Sequence, residues 1–135
     1  ADDVMIGRYG PPIFKIGRGI AGAYNVALIK ATPSDELTKD YLFYFLKQEC
    51  LFRLIEHLSQ RTSGQTGVDM EALRNYPLPL PPIGEQRRMA ARLDQIELLQ
   101  EANEANVRGL QEVKAALMSV LLTGELRVTP DTEAA

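Results

Sequence analysis

The chain has 135 residues, 45% of them hydrophobic and 24% charged, which is typical of one soluble domain and excludes a disordered polymer. No segment approaches the roughly 18 apolar residues of a membrane-spanning helix, and the start lacks a signal-peptide pattern, so we expect a cytoplasmic protein without a membrane partner. The net charge of −3 arises entirely from residues 82–135, which leaves the neutral residues 1–81 as the place for any DNA-binding surface.

The first part of the chain predicts three strands joined by glycine-rich links. Short apolar runs at residues 4–6 and 13–16 flank glycines and prolines that indicate a tight loop. The β-branched and aromatic residues of 24–30 suit a third strand. Since a strand begins within the first few residues, we expect the chain to start inside a sheet whose earlier strands belong to a longer parent protein.

Helical patterns follow the strands. Apolar residues at helical spacing predict a helix over roughly 36–48 behind the capping side chains of 32–35, and a second or continued helix to about residue 59. After a polar stretch, Asp69 caps a short turn. The alternation of proline with apolar residues over 76–82 then predicts an edge strand or an extended linker.

From Ile83 to about Leu122 the composition predicts one helix of roughly 40 residues, with Pro82 before it and Gly124 after it. Steps of three and four define a narrow coiled-coil seam that needs a partner helix. We therefore expect homodimerisation through residues 89–121, with two central asparagines selecting the register; the alternative is a helix that bends or frays there. The seam consists of Ile96, Leu99, Asn103, Asn106, Leu110, Val113, Leu117 and Val120.

The sequence contains no pattern typical of an enzyme. His57 is the only histidine and has no companion nucleophile or metal ligand, and Cys50, beside apolar neighbours, is interpreted as a small buried hydrophobe. The glycines of residues 17–19 are not followed by a helix, as a phosphate-binding loop requires. We therefore expect no catalytic residue, no metal site and no cofactor in this chain.

Two groups of polar loop residues have the chemistry with which proteins read DNA. Arginine binds guanine and glutamine binds adenine through paired hydrogen bonds, while hydroxyl groups hold phosphates. Side chains that merely solvate a loop have the same composition, so both interpretations stand at this point. The candidates are Arg8, Tyr9, Lys15 and Arg18 in the first loops and Arg61, Thr62, Ser63, Gln65 and Thr66 in the later one.

A series of segments in this order resembles the specificity subunits of type I restriction-modification systems: residues 7–10, 23–30, 41–46, 64–67 and 76–86. The most specific of them ends in Pro81-Pro82-Ile83-Gly84-Glu85-Gln86 before the long helix. The resemblance implies an α+β fold with a small mixed sheet and helices, followed by one long C-terminal coiled-coil-forming α-helix. The implied parts are a partial target recognition domain (1–81), the long helix (82–123) and a flexible C-terminal tail (124–135).

The resemblance also implies a function. In that family, two target recognition domains each read half of a split DNA sequence, and two long antiparallel helices separate them. The implied partners are double-stranded DNA, the methyltransferase subunit and the motor-nuclease subunit; S-adenosylmethionine, ATP and Mg are expected on those partner subunits. The chain is therefore expected to be a non-catalytic DNA-recognition fragment. The alternative is a coiled-coil assembly module, or an inhibitor that occupies the methyltransferase docking surface.

Overall fold

The computed structural model describes residues 2–10, 13–19, 22–59 and 67–128. Three short strands precede four helices, which confirms the predicted α+β class. The elements are β1 (Val4–Gly7), β2 (Ile16–Gly17), β3 (Leu28–Ala31), α1 (Lys39–Leu46), α2 (Glu49–Ser59), α3 (Met70–Asn75) and α4 (Ile83–Leu122).

The chain divides into two compact units, Ala1–Leu93 and Asp94–Ala135. The unit boundary lies within α4, whose first turns belong to the first unit. The boundaries predicted at residues 81 and 123 separate functional parts of the chain rather than compact units, and they stay predictions.

The three strands form one sheet in the order β2-β1-β3. The sheet was expected to be mixed, whereas both ladders are antiparallel. Met5 of β1 lies opposite Gly17 on one side and Lys30 on the other. Because side chains alternate along a strand, Val4 and Ile6 point together into the core and are buried.

Two strands are shorter than predicted. The apolar run at 13–16 contributes only its last residue to β2, because Phe14 has a left-handed φ of 57° that interrupts extended backbone; Ile13 and Phe14 are instead buried in the core. The third strand begins at Leu28 because Asn25 starts a turn, in which its carbonyl oxygen accepts a hydrogen bond from the Leu28 amide at 3.0 Å.

Capping side chains define two of the helix starts. α1 begins three residues later than predicted, because Thr38 is its N-cap and accepts a hydrogen bond from the Tyr41 amide at 3.3 Å. After a break at residues 47–48, α2 is a separate helix that ends at Ser59, as predicted. Asp69 caps α3 as expected, with one carboxylate oxygen accepting from the amides of Glu71 and Ala72 at 3.0 Å.

The core of the first unit lies between the sheet and the inward faces of α1 and α2. Its buried apolar residues are Val4, Ile6, Ile13, Phe14, Leu42, Phe43, Phe45, Leu46, Leu51, Ile55 and Val68. The prediction that Cys50 is buried is wrong: Leu51 and Ile55 occupy the inward face of α2, and Cys50 lies outside that face. Its sulfur accepts a hydrogen bond from the Tyr76 hydroxyl at 3.5 Å.

A fully buried glutamine holds the start of α4 within the first unit. The linker over 77–82 is extended and forms no strand, and α4 follows it from Ile83 as predicted. Gln86 is 0% exposed; its side-chain oxygen accepts from the Thr38 amide, and its side-chain nitrogen donates to the carbonyls of Glu36 and Pro81, all at 2.8 Å. One amide thus joins the cap of α1, the loop before it and the proline-rich linker.

The other end of α4 lies in the second unit and is also as predicted. Gly124 follows the helix with a φ of 77°, and the Leu126 amide donates to the Val120 carbonyl at 3.1 Å, which closes the last turn. Among the described residues, none of the helices has both the length and the apolar character needed to cross a lipid bilayer.

Candidate nucleic-acid interface

The segment after β1 contains the first two predicted DNA-binding residues, Arg8 and Tyr9. The Arg8 amide donates to the Ala27 carbonyl at 2.8 Å, and the Arg8 carbonyl accepts from the Val68 amide at 3.0 Å. The backbone of Arg8 is therefore held between the turn that precedes β3 and the segment that precedes α3. This end of the sheet, where β1 ends and β3 begins, is called the loop edge below.

Tyr9 joins the first predicted loop to the later one. It forms an isolated antiparallel bridge with Gly67. A Cβ atom at Gly67 would lie 3.2 Å from the Tyr9 ring, so glycine lets the two segments approach closely. The Tyr9 ring is exposed and the Arg8 guanidinium carbon lies 5.2 Å from its centroid, within the range of a cation–π contact.

Lys15 lies beside the same edge. The Gly7 amide donates to the Lys15 carbonyl at 2.7 Å, and the Phe14 amide donates to the Gly7 carbonyl at 3.1 Å, which closes a tight link between β1 and β2. The Lys15 side chain is exposed. Arg8, Tyr9 and Lys15 are therefore brought together, with an aromatic ring and two cationic groups and no acidic residue among them.

Arg18 occupies a different position. The pairing of Met5 with Gly17 places Arg18 toward the start of β1, at the opposite end of the strand from Arg8. Its guanidinium is bonded to Asp40 at 2.9 Å and lies 4.2 Å from the Phe43 ring centroid. With only 26% of its side chain exposed, Arg18 has contacts that hold α1 against β2.

The later group of candidates, Arg61, Thr62, Ser63, Gln65 and Thr66, lies outside the described residues. The residues that flank this segment are described. Ser59 is buried at the end of α2, and its hydroxyl donates to the Glu56 carbonyl at 2.8 Å. Gly67, which directly follows Thr66, pairs with Tyr9, so the chain leaves the later polar segment at the loop edge.

A network of charges stabilises the opposite end of β1. Asp3 accepts from Lys30 at 2.7 Å and from Lys39 at 3.2 Å. These bonds, Lys30 first and Lys39 second, hold the pKa of the Asp3 carboxyl below its ordinary value, and Asp3 in turn raises the pKa of Lys30. Both lysines are thereby paired with Asp3.

Two features of the first unit were not predicted. A turn over 25–28 exposes apolar side chains beside Arg8, although its residues were assigned to a strand. Three exposed arginines, Arg87, Arg88 and Arg92, also lie in the first turns of α4, so the net negative charge of residues 82–135 conceals a basic segment. Charge counted in short windows, rather than over 54 residues, reveals that segment in the sequence.

In the second unit, the predicted coiled-coil seam is exposed on α4. Ile96, Leu99, Val113 and Leu117 are each at least half exposed and Leu110 is 69% exposed, whereas Val120 is half-buried. The two asparagines, Asn103 and Asn106, are exposed as well. Lone exposed apolar residues are ordinary, but a stripe of them along one helix marks an interaction surface.

The chain is thus an α+β protein with an aromatic and cationic loop edge and a helix that carries an exposed apolar seam. Residues 11–112 match the family described as the type I restriction modification DNA specificity domain. The chain belongs to this family. The match begins after β1 and includes most of α4, and it confirms the resemblance seen in the sequence.

Three relatives are specificity subunits of type I restriction enzymes. The MjaVIII subunit of Methanocaldococcus jannaschii is 34% identical over 70% of this chain and 22% of its own length. A putative MjaX subunit of the same organism is 32% identical over 84% of this chain and 24% of its length, and the Escherichia coli EcoEI subunit is 31% identical over 64% and 15%. The chain thus spans less than a quarter of these relatives. No solved structure gave a significant match.

Proposed function

We propose that the chain reads part of a DNA target as a segment of a type I specificity subunit. The observation that carries the proposal is the pairing of Tyr9 with Gly67, since Tyr9 belongs to the first group of predicted DNA-binding residues and Gly67 directly follows the later group in the sequence. Arg8, Tyr9 and Lys15 contribute from the loop edge, and Arg61 to Thr66 are included in the proposal for their side-chain chemistry. Arg18 has a supporting role, because its guanidinium is bonded to Asp40.

The side-chain types of the candidates support a division of labour between base contacts and phosphate contacts. Base edges supply specificity, through arginine to guanine and glutamine to adenine, while lysine and hydroxyl groups position the phosphate backbone. The chain has no catalytic step in this proposal: methyl transfer to adenine belongs to the methyltransferase subunit, and cleavage to the motor-nuclease subunit. The reading surface covers one half of a bipartite target.

We also propose that α4 binds partner helices. Its apolar residues recur at steps of three and four, and no side chain among the described residues of the second unit covers them. This exposure supports their role as a docking stripe. The stripe suits a second copy of the chain, and in the assembled enzyme the helix also docks the methyltransferase subunit. A monomer in sedimentation experiments at high micromolar concentration would contradict the homodimer.

The test of DNA reading is site-specific methylation. The chain is co-purified with a type I methyltransferase subunit, the complex methylates duplex DNA of random sequence, and the modified adenines are mapped. A palindromic split motif is expected if two copies read identical half-sites. A complex that forms but methylates no defined motif would replace DNA reading with the alternative, a coiled-coil assembly module.

Variants assign the reading residues. Arg61→Ala and Gln65→Ala are expected to relax or abolish the preference at one base pair each, since a bidentate contact contributes about 1 to 3 kcal/mol of discrimination. Arg53→Ala is the matched control, because Arg53 is 75% exposed and paired only within its helix, with Glu49 at 2.8 Å. An unchanged motif in both loop variants would remove that segment from the interface.

A further inference from the structure

A tight turn before β3 presents two large apolar side chains to solvent. The Asn25 carbonyl accepts from the Leu28 amide, and the Asn25 side-chain oxygen accepts from the Ala27 amide, both at 3.0 Å. Two hydrogen bonds that Asn25 accepts therefore fix the backbone of the turn. Within this geometry Val26 is 83% exposed and Tyr24 is 55% exposed.

Among the described residues, no packing contact within the fold accounts for a valine at this turn. Turn corners favour glycine, proline, asparagine, aspartate and serine, whereas β-branched residues favour strands. The other described valines of the first unit, Val4 and Val68, are buried in the core, where they contribute to folding. Val26 contributes almost no buried surface, so its side chain is free to contact another molecule.

The position of the turn identifies the surface to which it belongs. The Ala27 carbonyl accepts from the Arg8 amide at 2.8 Å, so the turn lies directly against the Arg8-Tyr9 segment. Tyr9 in turn pairs with Gly67 on its other side. Three segments therefore meet at the loop edge, and the turn supplies an exposed aliphatic side chain there.

We infer that Val26 contacts the 5-methyl group of a thymine in the DNA major groove, with Tyr24 beside it. That methyl group is the apolar feature by which the major groove distinguishes a base, and small apolar side chains read it by contact. The cationic groups of Arg8 and Lys15 at the same edge favour DNA over an uncharged protein surface. This inference rests on the proposed function and adds a base-reading residue to it.

The neighbouring asparagine has a different role. Asparagine reads adenine by donating from its side-chain nitrogen while its side-chain oxygen accepts. In this turn the Asn25 oxygen already accepts from the Ala27 amide. Asn25 therefore shapes the turn, and the discrimination at this point of the surface comes from apolar contact.

The experiment compares thymine with uracil, which lacks only the methyl group. The full chain, assembled with the methyltransferase subunit, first selects its motif from random duplexes. Each thymine of that motif is then replaced by deoxyuridine, and binding is measured for wild type and Val26→Ala. One replacement is expected to weaken wild-type binding about threefold to fivefold, the value of one buried methyl group, and to leave Val26→Ala unaffected.

Two further variants complete the design. Val26→Thr keeps the branched shape and replaces one methyl by a hydroxyl, so it should lose part of the discrimination without altering the turn. Val128→Ala is the matched control, since Val128 is 78% exposed and lies in the other compact unit. Its response to deoxyuridine should equal that of wild type.

The outcomes separate the two levels of the proposal. Loss of the deoxyuridine effect in Val26→Ala alone supports the inference. A selected motif with equal deoxyuridine responses in wild type and Val26→Ala overturns the inference and leaves DNA reading intact. A wild-type complex that enriches no motif overturns both, because no base is then read.

Discussion

Replacing Gln86 by alanine should destabilise the first unit strongly, although the substitution removes a polar side chain. Gln86 is fully buried and satisfies three backbone groups, the Thr38 amide and the carbonyls of Glu36 and Pro81. Each buried group left without a partner costs about 1 to 3 kcal/mol. Even at the lower end, Gln86→Ala loses about 3 kcal/mol, a large part of the stability of a domain of this size.

Thermal unfolding followed by near-ultraviolet circular dichroism of tyrosine measures this loss. All five tyrosines precede residue 77 and tryptophan is absent, so the signal reports on the first unit alone. A loss of 3 kcal/mol lowers the midpoint by roughly 12 °C or more in a domain below 100 residues. Gln111→Ala on the exposed surface of the same helix is the control and should change stability by less than about 0.5 kcal/mol.

Gln86→Glu separates hydrogen bonding from packing. The carboxylate keeps the acceptor for Thr38 but faces the carbonyls of Glu36 and Pro81, so burial and these carbonyls should raise its pKa above the ordinary value of about 4.3. Because the pKa of the introduced carboxyl is raised in the folded state, its contribution to the stability of the Gln86→Glu variant is complete below the ordinary carboxyl pKa. This contribution is lost as the pH rises through the raised pKa. Equal midpoints for Gln86→Ala and the Gln111 control would refute the reasoning, as would a Gln86→Glu variant insensitive to pH.

Three other perturbations have defined outcomes. Asp3→Asn removes the charge that pairs with Lys30 and Lys39. Because the pKa of Asp3 is lowered in the folded chain, the wild type is the more stable protein above the ordinary carboxyl pKa, and this advantage vanishes as the pH falls through the lowered pKa. Paired thermal melts at neutral and acidic pH measure the difference. Gly67→Ala should change the selected DNA motif more than the unfolding midpoint, since the exposed Tyr9 ring can yield to the new Cβ. Leu110→Asp should shift sedimentation toward monomer without altering the tyrosine signal.

The elements that could be predicted are those whose signals are local and repeated. The long helix was placed correctly because forty residues without proline favour it and because Pro82 and Gly124 mark its ends. Asp69 was recognised as a cap for the same reason: a capping carboxylate acts on amides two and three residues ahead. Such interactions depend on the neighbouring sequence alone.

The errors arise where distant residues decide the local structure. The start of α1 had several capping candidates, and Thr38 is held in that role by Gln86, which lies 48 residues further along the chain. Phe14 belongs to a strand by its composition, yet burial of its ring in the core compensates for a left-handed backbone. Cys50 was assigned to the interior because its neighbours are apolar, but adjacent helical positions point about 100° apart.

The candidate DNA-binding surface also depends on contacts between residues that are distant in the sequence. Loop composition indicated which side chains suit DNA, but the pairing of Tyr9 with Gly67, which joins two segments 58 residues apart, has no signal in either segment. The bond from the Arg8 amide to the Ala27 carbonyl likewise adds a turn that the sequence assigned to a strand. A single sequence therefore predicts candidate residue types, and the register of the sheet determines which of the candidates lie near one another.

The seam of α4 poses the opposite problem, since its sequence pattern is clear and the described part of the chain leaves its apolar side chains exposed. Burying one large aliphatic side chain contributes about 1.5 to 3 kcal/mol, and the five exposed apolar seam residues are already about half covered by their own helix. Two copies together would still gain on the order of 10 kcal/mol, comparable with the estimated 4 to 15 kcal/mol cost of association. With the balance this close, we expect the two polar residues in the middle of the seam, Asn103 and Asn106, to weaken the proposed self-association, which favours competition by the methyltransferase subunit proposed to dock on the same helix.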